Sequence, residues 1–130
     1  MSMSIKKLPD MEFALMKAVW DMPQPASAPL VTERVRKDVP EKEWKPQTVM
    51  TGLVRLEKKG FLYSEKKGKE RSYYTVITQE QYLQVEAKNF RHRFSGGRFA
   101  GLVKALCDTE ELSEEDIKEL RSWLDSKEES

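Results

Sequence analysis

A chain of 130 residues is long enough for one domain with an appended arm. Charged residues make up 35% of it, and no stretch approaches the ~20 apolar residues that a membrane span needs. The start of the chain lacks an apolar signal segment and Cys107 is the single cysteine, which excludes an internal disulfide and predicts a cytoplasmic protein. The net charge of +1 hides an uneven distribution. Residues 1–75 carry 15 basic and 10 acidic side chains, whereas residues 76–130 carry 8 basic and 12 acidic side chains. Such a basic half attracts phosphate, although solvated surface charge is the simpler interpretation.

Two short amphipathic helices are predicted at the start of the chain. The first covers residues 10–22 and has an apolar stripe at helical spacing, formed by Phe13, Met16, Val19 and Trp20. For the second helix, Ser27 is the candidate N-cap, with Pro29 in the first turn. The residues then expected to face the core are Leu30, Val31, Val35 and Val39.

The third predicted helix, residues 46–59, has two chemically different sides. At about 100° per residue, Val49, Leu53 and Leu56 fall together and face the core. The opposite side carries short polar groups near its N-terminus and cations near its C-terminus. A helix in a DNA major groove contacts base edges and phosphates with such an arrangement. Every surface helix has a polar face, so an ordinary amphipathic helix is the alternative.

A basic β-hairpin follows Gly60, a residue that ends helices by accepting positive φ. Residues 61–66 and 71–77 are rich in aromatic and β-branched residues and predict two strands around a turn. Their lysines either contact DNA backbone or minor groove, or protect a strand edge. Three helices followed by this hairpin predict a winged helix-turn-helix over residues 1–77. The expected fold class is mostly α with a small β-hairpin (α+β).

Residues 78–130 predict a helical dimerisation arm. Thr78 and Gln81 form a capping box at its start, and Ser113 is the cap of its last helix. Three short helices bury little surface by themselves, so we expect a second copy of the chain to cover them in a homodimer. Packing onto the same chain is the alternative. The apolar positions assigned to the dimer interface are Phe90, Phe94, Phe99, Leu102, Val103, Leu106, Ile117, Leu120, Trp123 and Leu124.

The sequence contains no recognisable catalytic or metal site. His92 is the only histidine, and one histidine with one cysteine cannot supply a multi-histidine or paired-cysteine metal site. Neither a phosphate-binding glycine motif nor a nucleophile elbow is present. We therefore expect no enzymatic activity, no cofactor and no metal. Cys107 is expected to be a small buried group.

Residues 46–61, PQTVMTGLVRLEKKGF, resemble the recognition helix of the BlaI/MecI-type family of penicillinase and methicillin-resistance repressors. Further agreement lies in Glu12, Met16 and Trp20, in Tyr73 and Tyr74, in Lys88, Asn89 and Phe90, in Gly96 and Gly97, in Leu112 and Ser113, and in Glu119, Leu120 and Arg121. The resemblance implies a transcriptional repressor. Such a protein binds an inverted-repeat promoter operator, a double-stranded DNA, as a homodimer through helix 46–59 and the basic wing 62–77.

The resemblance also implies roles for individual residues by their position in the motif. Gln47, Thr48 and Thr51 are the candidates for contacts to bases or nearby phosphates. Met50 and Gln47 stand where the methicillin repressor has basic residues, which leaves the contacts at those positions open. The candidates for backbone contacts are Lys45, Arg55 and Lys58 in and before the helix and, from the charge pattern of the wing, Lys67, Lys69 and Arg71.

A regulatory protease is a further partner that the resemblance implies. Antibiotic-responsive members are cleaved in the arm at an Asn–Phe bond, but that position aligns here with Ala105 and Leu106, so the cleaved residues are not matched in this chain. Copper-responsive relatives carry C-terminal cysteine pairs that this chain lacks, which argues against copper sensing. The alternative function is a winged-helix protein-interaction module without DNA binding, and an enzyme with a site across a dimer interface ranks behind both.

Overall fold

The computed structural model describes residues 5–94, 98–108 and 112–128. The predicted α+β class is confirmed, and the ends of the predicted elements differ from the observed ends by a residue or two. The elements are α1 Asp10–Trp20, β1 Ala26–Ser27, α2 Ala28–Asp38, α3 Pro46–Lys58, β2 Leu62–Lys67, β3 Glu70–Thr75, α4 Gln79–Arg93, α5 Arg98–Asp108 and α6 Glu114–Glu128.

Helix α2 begins as predicted, because the Ser27 hydroxyl accepts the backbone N–H of Leu30 at 3.4 Å. Val31 and Val35 are fully buried. The prediction that Leu30 faces the core is wrong, since 53% of this residue is exposed. Leu30 points about 100° away from Val31, and Thr32 takes the remaining inward position, where its hydroxyl donates to the Ala28 carbonyl at 2.8 Å.

The sheet has a third strand that the sequence analysis missed. The strand order is β1-β3-β2, with both pairs antiparallel and Ala26 opposite Tyr73. Strand β1 has two residues, too few for an alternating pattern to be visible in the sequence. The Gln24 side chain adds to the pairing by accepting the Thr75 backbone N–H at 2.9 Å. This third strand holds the start of α2 beside the hairpin.

The core of the N-terminal part lies between the first three helices and the sheet. Its centre includes Leu15 of α1, Val35 of α2 and Leu53 of α3. Helices α1 and α3 approach closely at Gly52, where an added Cβ would collide with the end of the Leu15 side chain. Glycine at this position therefore permits the close contact that orients α3.

The first turns of α4 pack into this same core through Tyr82. The Tyr82 ring lies between 5.7 and 5.8 Å from the ring centroids of Phe13, Trp20 and Phe61. Its hydroxyl accepts the Leu8 backbone N–H at 2.8 Å and donates to a carboxylate oxygen of Glu86 at 2.6 Å. Burial, followed by the hydrogen bond to Glu86, raises the pKa of Tyr82 to about 12.

The chain divides into two compact units between Ala87 and Lys88, within α4. The N-terminal unit thus extends past the predicted limit at residue 77, because Tyr82 belongs to its core. The assignment of DNA binding to residues 1–77 and of dimerisation to residues 78–130 stays a prediction.

We expect Tyr82→Ala to lower the free energy of unfolding by about 3–5 kcal/mol, since a buried aromatic ring is removed from a packed cluster. Tyr82→Phe keeps the ring but leaves the Leu8 N–H without its acceptor, so a loss of about 1–3 kcal/mol is expected. Urea unfolding followed by circular dichroism at one fixed protein concentration measures both values. Leu83→Ala is the control, because Leu83 is the next residue of α4 and is 52% exposed. Equal midpoints for Tyr82→Ala and Leu83→Ala would show that Tyr82 is not an anchor.

The caps predicted for the C-terminal helices are confirmed. Thr78 Oγ1 accepts the Gln81 backbone N–H at 3.1 Å, and Gln81 Oε1 accepts the Thr78 N–H at 2.9 Å. Ser113 Oγ accepts the Asp116 N–H at 3.1 Å in the same way. The prediction that Cys107 is buried is wrong. This cysteine lies near the C-terminal end of α5, where the neighbouring Ala105 and Leu106 are exposed as well. Gly96 and Gly97, two positions of the family resemblance, lie outside the described residues.

Within residues 5–94, 98–108 and 112–128, no helix has the length and apolar character needed to cross a lipid bilayer. The same described residues contain no group of three or more histidine, cysteine, aspartate or glutamate side chains placed to hold a metal ion.

Candidate nucleic-acid interface

Three buried side chains determine which side of α3 faces solvent. Val49, Leu53 and Leu56 are 0% exposed, as the helical spacing predicted. Pro46 occupies the first turn, and Gly60, with φ of 85°, follows the C-terminal end. The polar and cationic side of α3 is therefore held toward solvent by the core itself.

The residues predicted to contact bases lie together at the N-terminal half of α3. Gln47 is exposed and Thr51 half-buried, and the Gln47 amide nitrogen lies 3.5 Å from the Thr51 hydroxyl. Together with Thr48 and Arg55 they line a groove of about 520 Å³ between α3 and the start of α1. Amide and hydroxyl groups both donate and accept hydrogen bonds, as recognition of base edges requires.

Cations stand at both ends of this polar row. Lys45 precedes the helix, and its side chain is mostly exposed with only a 3.9 Å contact to the exposed Glu43. Lys58 is exposed at the C-terminal end. An exposed ion pair of this kind stabilises by little, so Lys45 can turn to a phosphate at small cost. The next residue, Lys59, differs, because its ammonium lies 2.5 Å from a carboxylate oxygen of the buried Glu12.

The predicted wing cations are all exposed at the tip and on β3. The turn between β2 and β3 contains Gly68 with φ of 65°, and Lys67 pairs with Glu70 across it. Lys67, Lys69 and Arg71 are therefore on one projecting hairpin, away from the core. A projecting basic hairpin beside a recognition helix has the reach to contact neighbouring DNA backbone.

A hydrogen-bonded chain joins the wing to α3, and the sequence analysis missed it. Glu57 of α3 accepts the Ser64 backbone N–H at 2.9 Å and the Ser64 hydroxyl at 2.7 Å through the same carboxylate oxygen. Arg71 on the neighbouring strand donates to Ser64 Oγ at 3.1 Å. The contacts fix the angle between wing and helix. They join residues on three elements, and no periodic pattern in the sequence indicates them.

Arg36 and Trp44 fix the connection between α2 and α3. The Arg36 guanidinium donates from Nε at 3.0 Å and from Nη2 at 2.7 Å to the Trp44 carbonyl. The buried Trp44 indole N–H donates to the Val39 carbonyl at 3.1 Å. No helical or strand pattern in the charged residues 41–44 indicates these contacts, although a tryptophan in such a segment is a sign of burial.

A cleft of about 860 Å³ separates α3 from the wing. Met50 lies on its α3 side, and α2 residues between Ala28 and Arg36 line it as well. Four cationic residues and two acidic residues line it, so its charge favours an anion such as a phosphate backbone. The charged residues of this cleft are Arg36, Lys66, Lys69 and Arg71 with Glu33 and Glu70.

The residues predicted to form the dimer interface are largely exposed within the single chain. Leu106, Leu120, Trp123 and Leu124 are exposed, and no described residue of α6 is buried. Phe90 is exposed and lies 4.9 Å from the Phe94 ring centroid. The side chain of Phe99 lies outside what the structure describes. The half-buried members of the set are Phe94, Leu102, Val103 and Ile117.

Comparison with known proteins gives one consistent family. The profile of the penicillinase repressor family matches residues 8–126. The methicillin resistance regulatory protein MecI of Staphylococcus aureus (strain N315) is 34% identical over 116 residues, 89% of this chain and 91% of that protein. The penicillinase repressor of Bacillus licheniformis is 32% identical over 125 residues, 93% of this chain and 94% of that protein. The solution structure of the DNA-binding domain of the repressor BlaI superposes with a TM-score of 0.51 at 30% identity, over 61% of this chain and 92% of that domain.

Proposed function

Because this chain belongs to the penicillinase repressor family, we propose that it is a transcriptional repressor that binds an inverted-repeat promoter operator as a homodimer. Relatives named as a penicillinase repressor and a methicillin resistance regulatory protein support the proposal. The superposed DNA-binding domain of the repressor BlaI supports it as well. The observation that carries it is the row of polar and cationic side chains held outward on α3 beside the basic wing.

In this proposal α3 enters the major groove with its N-terminal half toward the base edges. The Gln47 amide and the Thr48 and Thr51 hydroxyls make the contacts that depend on sequence. Lys45, Arg55 and the other predicted cations hold the phosphates on either side. A protein bound across a promoter in this manner blocks transcription by occupying the DNA.

The exposed apolar residues of α4, α5 and α6 support the proposed homodimer. Trp123 and Leu124 place large apolar side chains in solvent when the chain is alone, and a second copy removes them from water. Two-fold symmetry of the protein then matches the symmetry of an inverted repeat. Residues 78–130 thereby form the dimerisation domain and residues 1–77 the DNA-binding domain of the proposal.

The proposed protein acts in the cytoplasm, where the bacterial chromosome lies, and has no enzymatic activity of its own. A regulatory protease is the proposed route to derepression. The bond that corresponds to the family cleavage position joins Ala105 and Leu106, both exposed in α5. Cleavage there would separate α6 from the rest of the chain and so remove part of the dimer interface.

We expect the full-length protein to bind the DNA upstream of its own gene selectively, with an affinity that falls as salt rises. Replacing Lys67, Lys69 and Arg71 by alanine is expected to weaken binding to every sequence alike, because phosphate contacts carry no sequence information. The magnitude of the negative slope of log K against log salt should fall by about 0.9 for each phosphate contact that is lost. Fluorescence anisotropy over a series of salt concentrations measures both quantities.

Lys104→Ala is the matched control for the wing variants, since Lys104 is an exposed lysine of α5 outside the proposed DNA-binding surface. Its affinity and salt slope should equal those of the wild type. The absence of salt-sensitive, sequence-selective binding to the upstream DNA would contradict the proposal and would favour a winged-helix protein-interaction module without DNA binding.

A further inference from the structure

Two apolar side chains interrupt the polar outward side of α3. Met50 is 37% exposed and Val54 is 42% exposed, and they lie one helical turn apart. At about 100° per residue, Val54 points between Met50 and Thr51 and close to the direction of Gln47. The two apolar residues thus lie beside the groups proposed to contact bases.

Neither residue is needed to hold α3 in the fold. The core side of the helix is already filled by Val49, Leu53 and Leu56, which are fully buried. Met50 instead lines the cleft between α3 and the wing, together with Pro46 and the wing cation Arg71. A single exposed apolar residue is ordinary on a protein surface. Two of them a turn apart, amid the cations of the proposed DNA-binding face, form an apolar strip that points at the ligand.

We propose that Met50 and Val54 select thymine in the operator by packing against its 5-methyl group. The inference rests on the proposed function, because it requires α3 to lie in the major groove. Among the base-edge groups displayed in that groove, the thymine methyl is the apolar one, whereas the others donate or accept hydrogen bonds. An apolar side chain in this position therefore favours thymine over cytosine, which has only a hydrogen at C5 and carries an amino group where thymine has O4.

The geometry also limits where the selected thymines lie. Residues four apart on a helix are separated by about 6 Å along its axis, and successive base pairs by about 3.4 Å. The thymines contacted by Met50 and Val54 are thus expected within about two base steps of each other in each half-site. Met50 is flexible and can adjust to the methyl group, whereas Val54 is stiff at χ1 and demands a closer fit.

The test replaces single thymines by deoxyuridine, which lacks the methyl group and keeps the hydrogen-bonding edges. The probe is the tightest duplex that the full-length protein selects from a pool of random sequences. Loss of one buried methyl contact is expected to raise the Kd about fourfold. We expect this penalty at one or two thymines of each half-site and nowhere else in the duplex.

Protein variants then assign each penalty to a side chain in a double-mutant cycle. Met50→Ala should bind the thymine duplex about fourfold more weakly and show no further loss at its own thymine when deoxyuridine is present. Val54→Ala should behave likewise at the other thymine. Met50→Leu restores a large apolar side chain and should again bind the deoxyuridine duplex more weakly than the thymine duplex. Thr48→Ala is the matched control, because it weakens binding through a polar contact and should keep the full deoxyuridine penalty.

Equal Kd values for thymine and deoxyuridine at every position would overturn the inference and leave the proposed function intact. The inference also fails if Met50→Ala and Val54→Ala both retain the full penalty, since the methyl group would then contact another residue. If the selection yields no preferred duplex, the proposed function fails and this inference fails with it. Both alanine substitutions lie at solvent-exposed helix positions where alanine is favourable, so the variants should fold.

Discussion

Alanine at Gln47, Thr48, Thr51 and Arg55 together is expected to weaken operator binding about a thousandfold, down to the level of nonspecific DNA. The four side chains line one groove beside α3 and include the amide and hydroxyl groups proposed to contact bases. Each well-formed base contact contributes about 1–3 kcal/mol of discrimination, so the loss of several removes most sequence preference. Anisotropy titrations with the operator and a scrambled duplex, at one salt concentration, measure affinity and preference together.

The wing and the remaining cations should keep most of the nonspecific affinity of this variant, which loses only the phosphate contact of Arg55. None of the four residues is fully buried, so the urea midpoint should also stay close to the wild-type value. Alanine at Glu80, Gln84 and Lys88, three exposed positions of α4, is the control and should leave operator affinity within about twofold. If the α3 variant keeps its full preference for the operator, an element other than α3 recognises the bases.

The second large effect is expected at the dimer interface. Leu120→Glu combined with Leu124→Glu should convert the protein to a monomer and weaken operator binding at least about a hundredfold. Both leucines are exposed in the single chain, so charge there does not disturb the core of either unit. In the proposed dimer the same positions are buried against the partner, where an unpaired carboxylate is strongly unfavourable.

Light scattering and the operator titration measure the two consequences of this change. Ser122→Glu introduces a single glutamate on the opposite side of α6, at an exposed position, and should leave both the dimer and the affinity unchanged. If the double glutamate variant remains a dimer, the contact between the two copies lies outside α6.

The orientation of α3 was predictable because it depends on local signals. Val49, Leu53 and Leu56 recur at helical spacing, and Pro46 and Gly60 mark the two ends. One buried face is enough to specify the exposed one, so the candidate base-contacting side follows directly. The wing was predictable for a similar reason, since aromatic and β-branched residues flank a glycine-containing turn.

The parts of the site that were not predicted depend on contacts distant in sequence or on neighbouring elements. Ser64 meets both Glu57 and Arg71 only after the hairpin has folded back beside α3. Strand β1 exists because β3 offers it a partner, and its two residues carry no pattern of their own. Leu30 was misplaced since Thr32, a polar residue that can satisfy its own hydroxyl within the helix, occupies the inward position.

The most direct test of the account is the groove in which α3 lies on bound DNA. Dimethyl sulfate methylates guanine at N7, which faces the major groove, and adenine at N3, which faces the minor groove. With the selected duplex, we expect the full-length protein to protect guanine N7 in both half-sites, and the four-alanine variant of α3 to leave it reactive. A duplex that is bound selectively by the wild type while every guanine N7 reacts as in free DNA would contradict the account.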